Sequence, residues 1–577
     1  MDLLKPDIVA ERAGDVLHVR SRVPLDPPPS RLADLLLRGA RSHPDRVLFA
    51  EREPTGGTVR RTWSETAERC RGIAAWLLER GERGPIAILS VNSIAHAELA
   101  LACAIASIPT APVSAGYSLR SADHAHLKDV VRQLRPSAVF AEPADAFARA
   151  LAASGLDSAV RYTSADLDRA AATRAGPALD AVLAAGGPDT VVKLLFTSGS
   201  TGRPKGVPTT QRMLCANQQM IAQCWPFLRT SPPVLVDWLP WSHTFGGSHN
   251  LNLVLFHGGT LVIDEGRPAP GLFERTAAHL RDTPPTDYFT VPAGYAALVP
   301  LLEDDAGLAE TFFSRLRTLF YAGAALPDDL WQRLSRLAEA AKKDVFLTTA
   351  WGSTETSPMS TSAHFRLERA GNIGVPAPGV ELKLVPSGAK LEVRVAGPHV
   401  FAGYLDGRGD AFDDDGFYRI GDAMRLADPD DPSAGLVFDG RVAENFKLSS
   451  GTWVSVGTLR TAVLEACSPA LADVVVCGHG RASVGVLAWP SPAGVARLGA
   501  ALRDHLITTL ARFNDSGRGS ASRITRALLL DEPPQPDAGE ITDKGYVNQR
   551  AVLDRRHADV DRLFSDPPDA TVIVLRG

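Results

Sequence analysis

Residues 194–210 read LLFTSGSTGRPKGVPTT, and this stretch limits the fold more than any other. A short apolar run bounded by turn residues predicts a buried strand. Here it passes straight into Thr197, Ser198, Gly199, Ser200, Thr201 and Gly202. The glycines permit a tight turn, and successive N–H groups beside several hydroxyls predict an anion-binding nest. Lys205 adds a point charge suited to phosphate. A Walker loop needs G-x-x-x-x-G-K-[ST] opening a helix. Lys205 stands between Pro204 and Gly206, so no register fits. An inert, solvated Ser/Gly turn is the competing reading.

The surrounding pattern is of one kind. Apolar runs at 85–90, 136–141, 191–196, 234–238, 260–263, 287–291, 317–321 and 345–349 alternate with helical spacing, as in 30–42 and 62–81. Such alternation predicts α/β architecture, with parallel sheets covered on both faces by helices. Residues 1–30 are polar and end in three prolines, as a leader strand or arm would. Near 380 the pattern changes to period two, at 382–386 and 391–397, which predicts a small antiparallel unit. Beyond 456, a helix (457–467), two strands (472–477, 483–488), a long helix (491–512) and a strand (526–530) predict a small α+β domain. The Gly/Ser-rich 515–522 and Pro/Asp-rich 531–539 read as surface loops.

At 577 residues the chain is too long for one core, since cores stop growing at roughly 250–300 residues. With 61 basic and 66 acidic residues it lacks the basic footprint of a nucleic-acid binder. Only ten of those 61 are lysine, so a lysine inside a motif stands out. The six cysteines form no C-x-x-C pair, which predicts buried thiols rather than a zinc or redox site. The N-terminus lacks a signal-peptide pattern, and no apolar stretch approaches the ~20 residues that cross a bilayer. A cytoplasmic protein without membrane insertion is expected.

Six further segments follow in order: YAGAALP (321–327), TAWGSTETSP (349–358), GNIGVPAPGV (371–380), FYRIGDAMR (417–425), GRVAENFKLSSGTWV (440–454) and GEITDKGYVNQRAVL (539–553). Together with 194–210 they resemble the motifs of the adenylate-forming superfamily: acyl- and aryl-CoA ligases, adenylation domains and firefly-type luciferases. The resemblance implies a large domain, 1–440, of parallel-sheet α/β subdomains with a small β-barrel-like part. A small mobile α+β domain, 441–577, would follow a hinge near 441–445. It also implies ATP, Mg²⁺, coenzyme A as acceptor and a small carboxylic acid substrate; a homodimer is left open.

Roles carry over residue by residue. Thr197 to Gly202 and Lys205 would cradle phosphates. Gly323, Ala324 and Ala325 match the adenine-pocket segment, and Trp351 the aromatic residue lying against adenine. Thr354 would donate to the α-phosphate, and Glu355 would hold Mg²⁺, a cation that takes one or two carboxylates plus phosphate oxygens and water. Asp422 suits ribose hydroxyls, because a carboxylate can accept two O–H bonds. Arg441 would help hold ribose and phosphates. Lys544 would be the cation of the adenylation step, and Lys447 the lysine that enters for thioester formation, with Gly451 along the thiol's approach. His243 matches a histidine beside the acyl pocket, with the aromatic-and-glycine run after it lining that pocket, whereas His249 and His257 read as core or surface residues.

Relatives commonly carry Asp or Lys two residues after the hinge arginine; here that residue is Ala443. Ala350 and Ile420 stand where glycine and threonine are usual. AENFKLSSGTWVSVGTLR (443–460) and AGEITDKGYVNQRAVL (538–553) look like the feruloyl-CoA synthase branch, where the alanine hinge also occurs. This implies an aryl or hydroxycinnamate-like acid converted to its CoA thioester. Ligation of an aliphatic or alicyclic acid, loading of a carrier protein, and a catalytically silent nucleotide-binding protein are the alternatives.

Overall fold

The apolar runs become parallel strands of three sheets. In the computed structural model the described residues are 1–53, 56–198, 203–269, 271–388, 390–407, 411–515, 519, 521–535, 538–541 and 547–575, with Ser198 and Ala493 described by backbone only. The first sheet has the order Pro204–Thr210, Val191–Ser198, Thr110–Pro112, Ile86–Ser90, Ala138–Glu142 and Val160–Tyr162. It is parallel apart from the hairpin of its first two strands. A second sheet joins Val234–Asp237, Thr260–Ile263 and Val47–Arg52 in parallel, with Thr58–Thr62 antiparallel at its edge. A third joins Asp287–Thr290, Thr318–Tyr321 and Phe346–Gly352 in parallel, then Met359–Ser362 and Val375–Pro376. The central strands are buried on both faces, which is why they read as unbroken apolar runs.

The period-two segments form a six-stranded antiparallel sheet: Ile8–Ala13, Val16–Ser21, Glu381–Ser387, Lys390–Ala396, Tyr418–Leu426 and Leu436–Arg441. The polar N-terminus is therefore a hairpin on this sheet, with Arg20 opposite Glu381. After Arg441 a single helical turn, Val442–Glu444, leads to a short hairpin, Phe446–Lys447 with Trp453–Val454.

The C-terminal sheet, Leu471–Cys477, Val484–Pro490, Ile524–Leu529 and Ile573–Val574, is mixed. Its alternation sends Val474 and Val476 into a core with Leu506 and Leu510, and Val475 and Cys477 into another with Val552 and Leu563. The expected long helix over 491–512 is two helices, Pro492–Leu498 and Leu502–Asp515. Gly499, at φ +48°, lies in the left-handed region that ends the first.

The C-terminal part docks through helix Val456–Ala466 on strand Leu436–Arg441. Gly440 and Gly457 allow this approach: a Cβ on Gly457 would stand 3.0 Å from the Gly440 Cα. Lys390 bridges the seam, 2.7 Å from Ser455 Oγ and 3.3 Å from Asp439 Oδ1. All six cysteines are buried and unbridged, as expected. Among the described residues no helix is long and apolar enough to cross a membrane.

Candidate active site

The strand ending at Ser198 and its return strand from Pro204 present Thr197 opposite Lys205. Gly199, Ser200, Thr201 and Gly202, the nest itself, lie outside the described residues, as does Lys544. Around this hairpin the structure assembles a chain of polar groups. The Lys205 ammonium sits 4.9 Å from the ring centre of Tyr404, within cation–π range. The Tyr404 hydroxyl donates to Glu355 Oε1 at 2.8 Å and lies 3.3 Å from the Tyr418 hydroxyl. The segment holding Tyr404 is clamped at both ends: Leu405 N–H donates to the Gly206 carbonyl at 2.8 Å, and Phe401 N–H to that of Glu355 at 2.9 Å.

Glu355 stands in the single turn Thr354–Thr356, held by the Thr356 hydroxyl, which accepts from Ser353 N–H at 2.8 Å and donates to the Pro358 carbonyl at 2.6 Å. Gly352 is needed just before it, because a Cβ there would stand 1.8 Å from the Pro358 carbonyl oxygen. Gly352→Ala is expected to cost about 1–3 kcal/mol, the usual range for overpacking. Thermal unfolding checks this: the midpoint falls as the turn shifts.

The Glu355 carboxylate is buried and among the described residues forms no ion pair with a lysine or arginine. Burial, and the Glu355 charge beside them, push the Tyr404 and Tyr418 hydroxyls above the ordinary phenol range, so both stay protonated. A buried carboxylate outside any ion pair, joined through Tyr404 to Lys205, has the chemistry to take a hydrated divalent cation.

Trp351 and Asp422, distant in sequence, are joined: the indole Nε1–H donates to Asp422 Oδ2 at 2.9 Å. Arg441 lies opposite Asp422 in the antiparallel register, with Nε 3.6 Å from Oδ1. Burial raises the Asp422 carboxyl, while the Arg441 charge opposes that rise. The guanidinium is itself raised by Asp422 and remains exposed to solvent. Tyr418 and Asp422 lie in one strand, and the Asp422 charge is among those that raise the Tyr418 hydroxyl.

The other expected residues are more scattered. Gly323 and Ala325 are exposed and Ala324 half-buried, in the turn after strand Thr318–Tyr321, with Gly323 at φ +89°. His243 begins a turn whose carbonyl accepts from Gly247 N–H at 2.8 Å. Lys447 is exposed, 4.9 Å from the ring centre of Trp453. Two residues of the constellation escaped the sequence reading. Tyr418 stands inside the motif FYRIGDAMR, four residues before Asp422. Tyr404 had no local signal, because its contacts are with residues about 50 and 200 positions away.

Comparison with known proteins gives the arrangement a context. Residues 36–405 match the family described as AMP-binding enzyme, and residues 445–567 its C-terminal domain. A long-chain-fatty-acid–CoA ligase of Escherichia coli O6:H1 is 29% identical over 248 residues, 41% of this chain and 42% of the ligase. The matched region thus spans less than half of that relative's length. A feruloyl-CoA synthase of an Amycolatopsis species is 29% identical over 389 residues, 64% of this chain and 72% of that protein. The ATP-bound MatB of Rhodopseudomonas palustris shares the fold at a TM-score of 0.69 and 22% identity, covering 92% of this chain and 99% of that one.

Proposed function

Because this chain belongs to the AMP-binding enzyme family, we propose that it is an ATP-dependent acid–thiol ligase that converts an aromatic carboxylic acid, hydroxycinnamate-like, into its CoA thioester. The observation that carries the chemistry is the run Lys205–Tyr404–Glu355, set beside Trp351–Asp422–Arg441. It supplies a phosphate-facing cation, a buried carboxylate and a pair of groups suited to a nucleoside. The boundary between the large and small domains falls at 440/441 on this reading.

The substrate carboxylate attacks the α-phosphorus of ATP, forming an acyl–phosphate anhydride as pyrophosphate leaves. The thiol of CoA then attacks the acyl carbon and AMP departs. Such chemistry needs charge neutralisation and positioning more than covalent help. Lys205 and the loop 197–202 hold the phosphates, Asp422 and Arg441 the ribose, and Thr354 donates to the α-phosphate. Mg²⁺ at Glu355 would supply neutralisation of the phosphate oxygens. Lys544 serves the first half-reaction and Lys447 the second.

Two observations support an aromatic acid. The likeness to feruloyl-CoA synthase covers more of the chain than that to the fatty-acid ligase. After His243 the chain also packs Phe245 and His249 against Phe289 and Phe320, ring centres 5.1–5.7 Å apart. ATP- and CoA-dependent thioester formation across cinnamates, benzoates and fatty acids tests the reading. The highest kcat/KM is expected for a hydroxycinnamate. Turnover confined to fatty or alicyclic acids removes the substrate class and leaves the ligase.

A further inference from the structure

Lys193 interrupts an apolar strand, VVKLLF (191–196), the second strand of the first sheet. Its neighbours across the sheet are Thr110 and Thr209, and only 7% of the residue is exposed. Among the described residues no carboxylate pairs with it; its ammonium donates to the Gly247 carbonyl at 2.6 Å. Burial alone pulls its pKa down to about 8. An ammonium with no counter-charge is expensive to keep in a core, so stability does not account for it.

Its acceptor belongs to an unusual element. Phe245–Asn250 is one turn of π-helix, buried throughout, and wide turns of this kind gather at functional sites. Gly246 and Gly247 press it onto the preceding segment: a Cβ on either would stand 2.3 Å from the carbonyl oxygens of Leu239 and Trp241 respectively. Three successive carbonyls accept from side chains of other elements. Lys193 takes that of Gly247, and the Gln218 amide takes those of Ser248 at 3.0 Å and His249 at 3.3 Å. The segment thus held presents Phe245 and His249 to Phe320, the His249 ring parallel to it within 7°. Phe320 immediately precedes Tyr321 and the adenine-pocket segment.

We infer that Lys193 is a positioning residue for the carboxylic acid substrate, a strut fixing the π-helical wall of the acid pocket to the strand that ends in the phosphate loop. The inference rests on the ligase reading, in which Phe245–Asn250 lines that pocket. Gln218 shares the work from the helix Gln211–Cys224. Neither residue touches the reacting atoms.

Lys193→Met keeps the length and removes the donor. Acid KM is expected to rise about tenfold, with ATP KM within twofold of the wild type and a thermal midpoint equal or higher. The last outcome follows because replacing a buried charge by an apolar residue of similar volume is often neutral or stabilising. Gln218→Met should raise acid KM in the same selective way, and it carries the test if Lys193→Met does not fold. A lower midpoint with both KM values unchanged makes Lys193 merely structural and overturns the inference, as does a parallel rise of both KM values. Wild-type protein inert towards every acid instead removes the ligase reading itself, which the acid panel reports separately.

Discussion

Alanine at position 544 is expected to slow adenylate formation by about two to three decades, the loss seen when one preorganised donor to a developing charge is removed. Thiolysis of a supplied acyl-adenylate should fall far less, because the acyl–phosphate bond is already formed and the α-phosphate leaves with AMP. The described residues on either side of 542–546 are anchored: Ile541 and Val547 form an antiparallel bridge. Glu540, fully buried, accepts from Arg556 Nε and Nη2 at 2.7 and 2.9 Å, from Arg555 Nη1 at 2.7 Å and from Gln535 N–H at 2.7 Å. Burial would raise the Glu540 carboxyl, but the Arg556 guanidinium holds it below the ordinary range. ATP–pyrophosphate exchange reports the first step, and CoA thioester release from synthetic adenylate the second. Equal losses in both assays would falsify the assigned role.

What the chain discloses about itself depends on how far apart the partners lie. The parallel strands were legible because burial on both faces leaves unbroken apolar runs: 260–263 is strand Thr260–Ile263, and 234–238 is Val234–Asp237. Residues 1–30 read as a leader strand or arm, but the sheet they join was not legible: beyond its local partner Val9, Arg20 meets Glu381, and nothing near residue 20 indicates this. The polar strand Thr58–Thr62 sits at a sheet edge, so it shows no apolar run. The break at Gly499 was legible in principle, since glycine alone takes φ +48° without strain there.

The site divides in the same manner. Trp351, Asp422 and Arg441 were nameable from motifs, but their contact is tertiary: strand Tyr418–Leu426 must lie beside both Leu436–Arg441 and the end of Phe346–Gly352. The π-helix at 245–250 has only its glycine pair to mark it. What fixes it are Lys193 and Gln218, both far away in sequence. Lys193 itself was visible as a polar break in an apolar strand, and its meaning depends on the carbonyl it meets.

Glu355→Gln should lower the adenylation rate by about two to three decades while leaving the fold intact. Glutamine keeps an oxygen to accept from the Tyr404 hydroxyl, so the 2.8 Å contact and the clamp on segment 401–405 survive. Only the charge is lost. A buried carboxylate without an ion-pair partner is unfavourable in the nucleotide-free protein, so the thermal midpoint should hold or rise. On the proposed reading the same loss removes the anion that would face Mg²⁺, so the Mg²⁺ concentration giving half-maximal rate should increase about tenfold. Tyr404→Phe separates charge from scaffold: it deletes the hydroxyl and retains the ring 4.9 Å from Lys205, so it should cost about one decade or less, with the Mg²⁺ dependence little changed. Initial rates titrated with Mg²⁺ at saturating ATP, beside thermal melts, distinguish these results. A Glu355→Gln enzyme with wild-type Mg²⁺ dependence would show that the buried carboxylate serves the turn rather than the cation, because the substitution removes the charge and keeps an oxygen to accept from Tyr404.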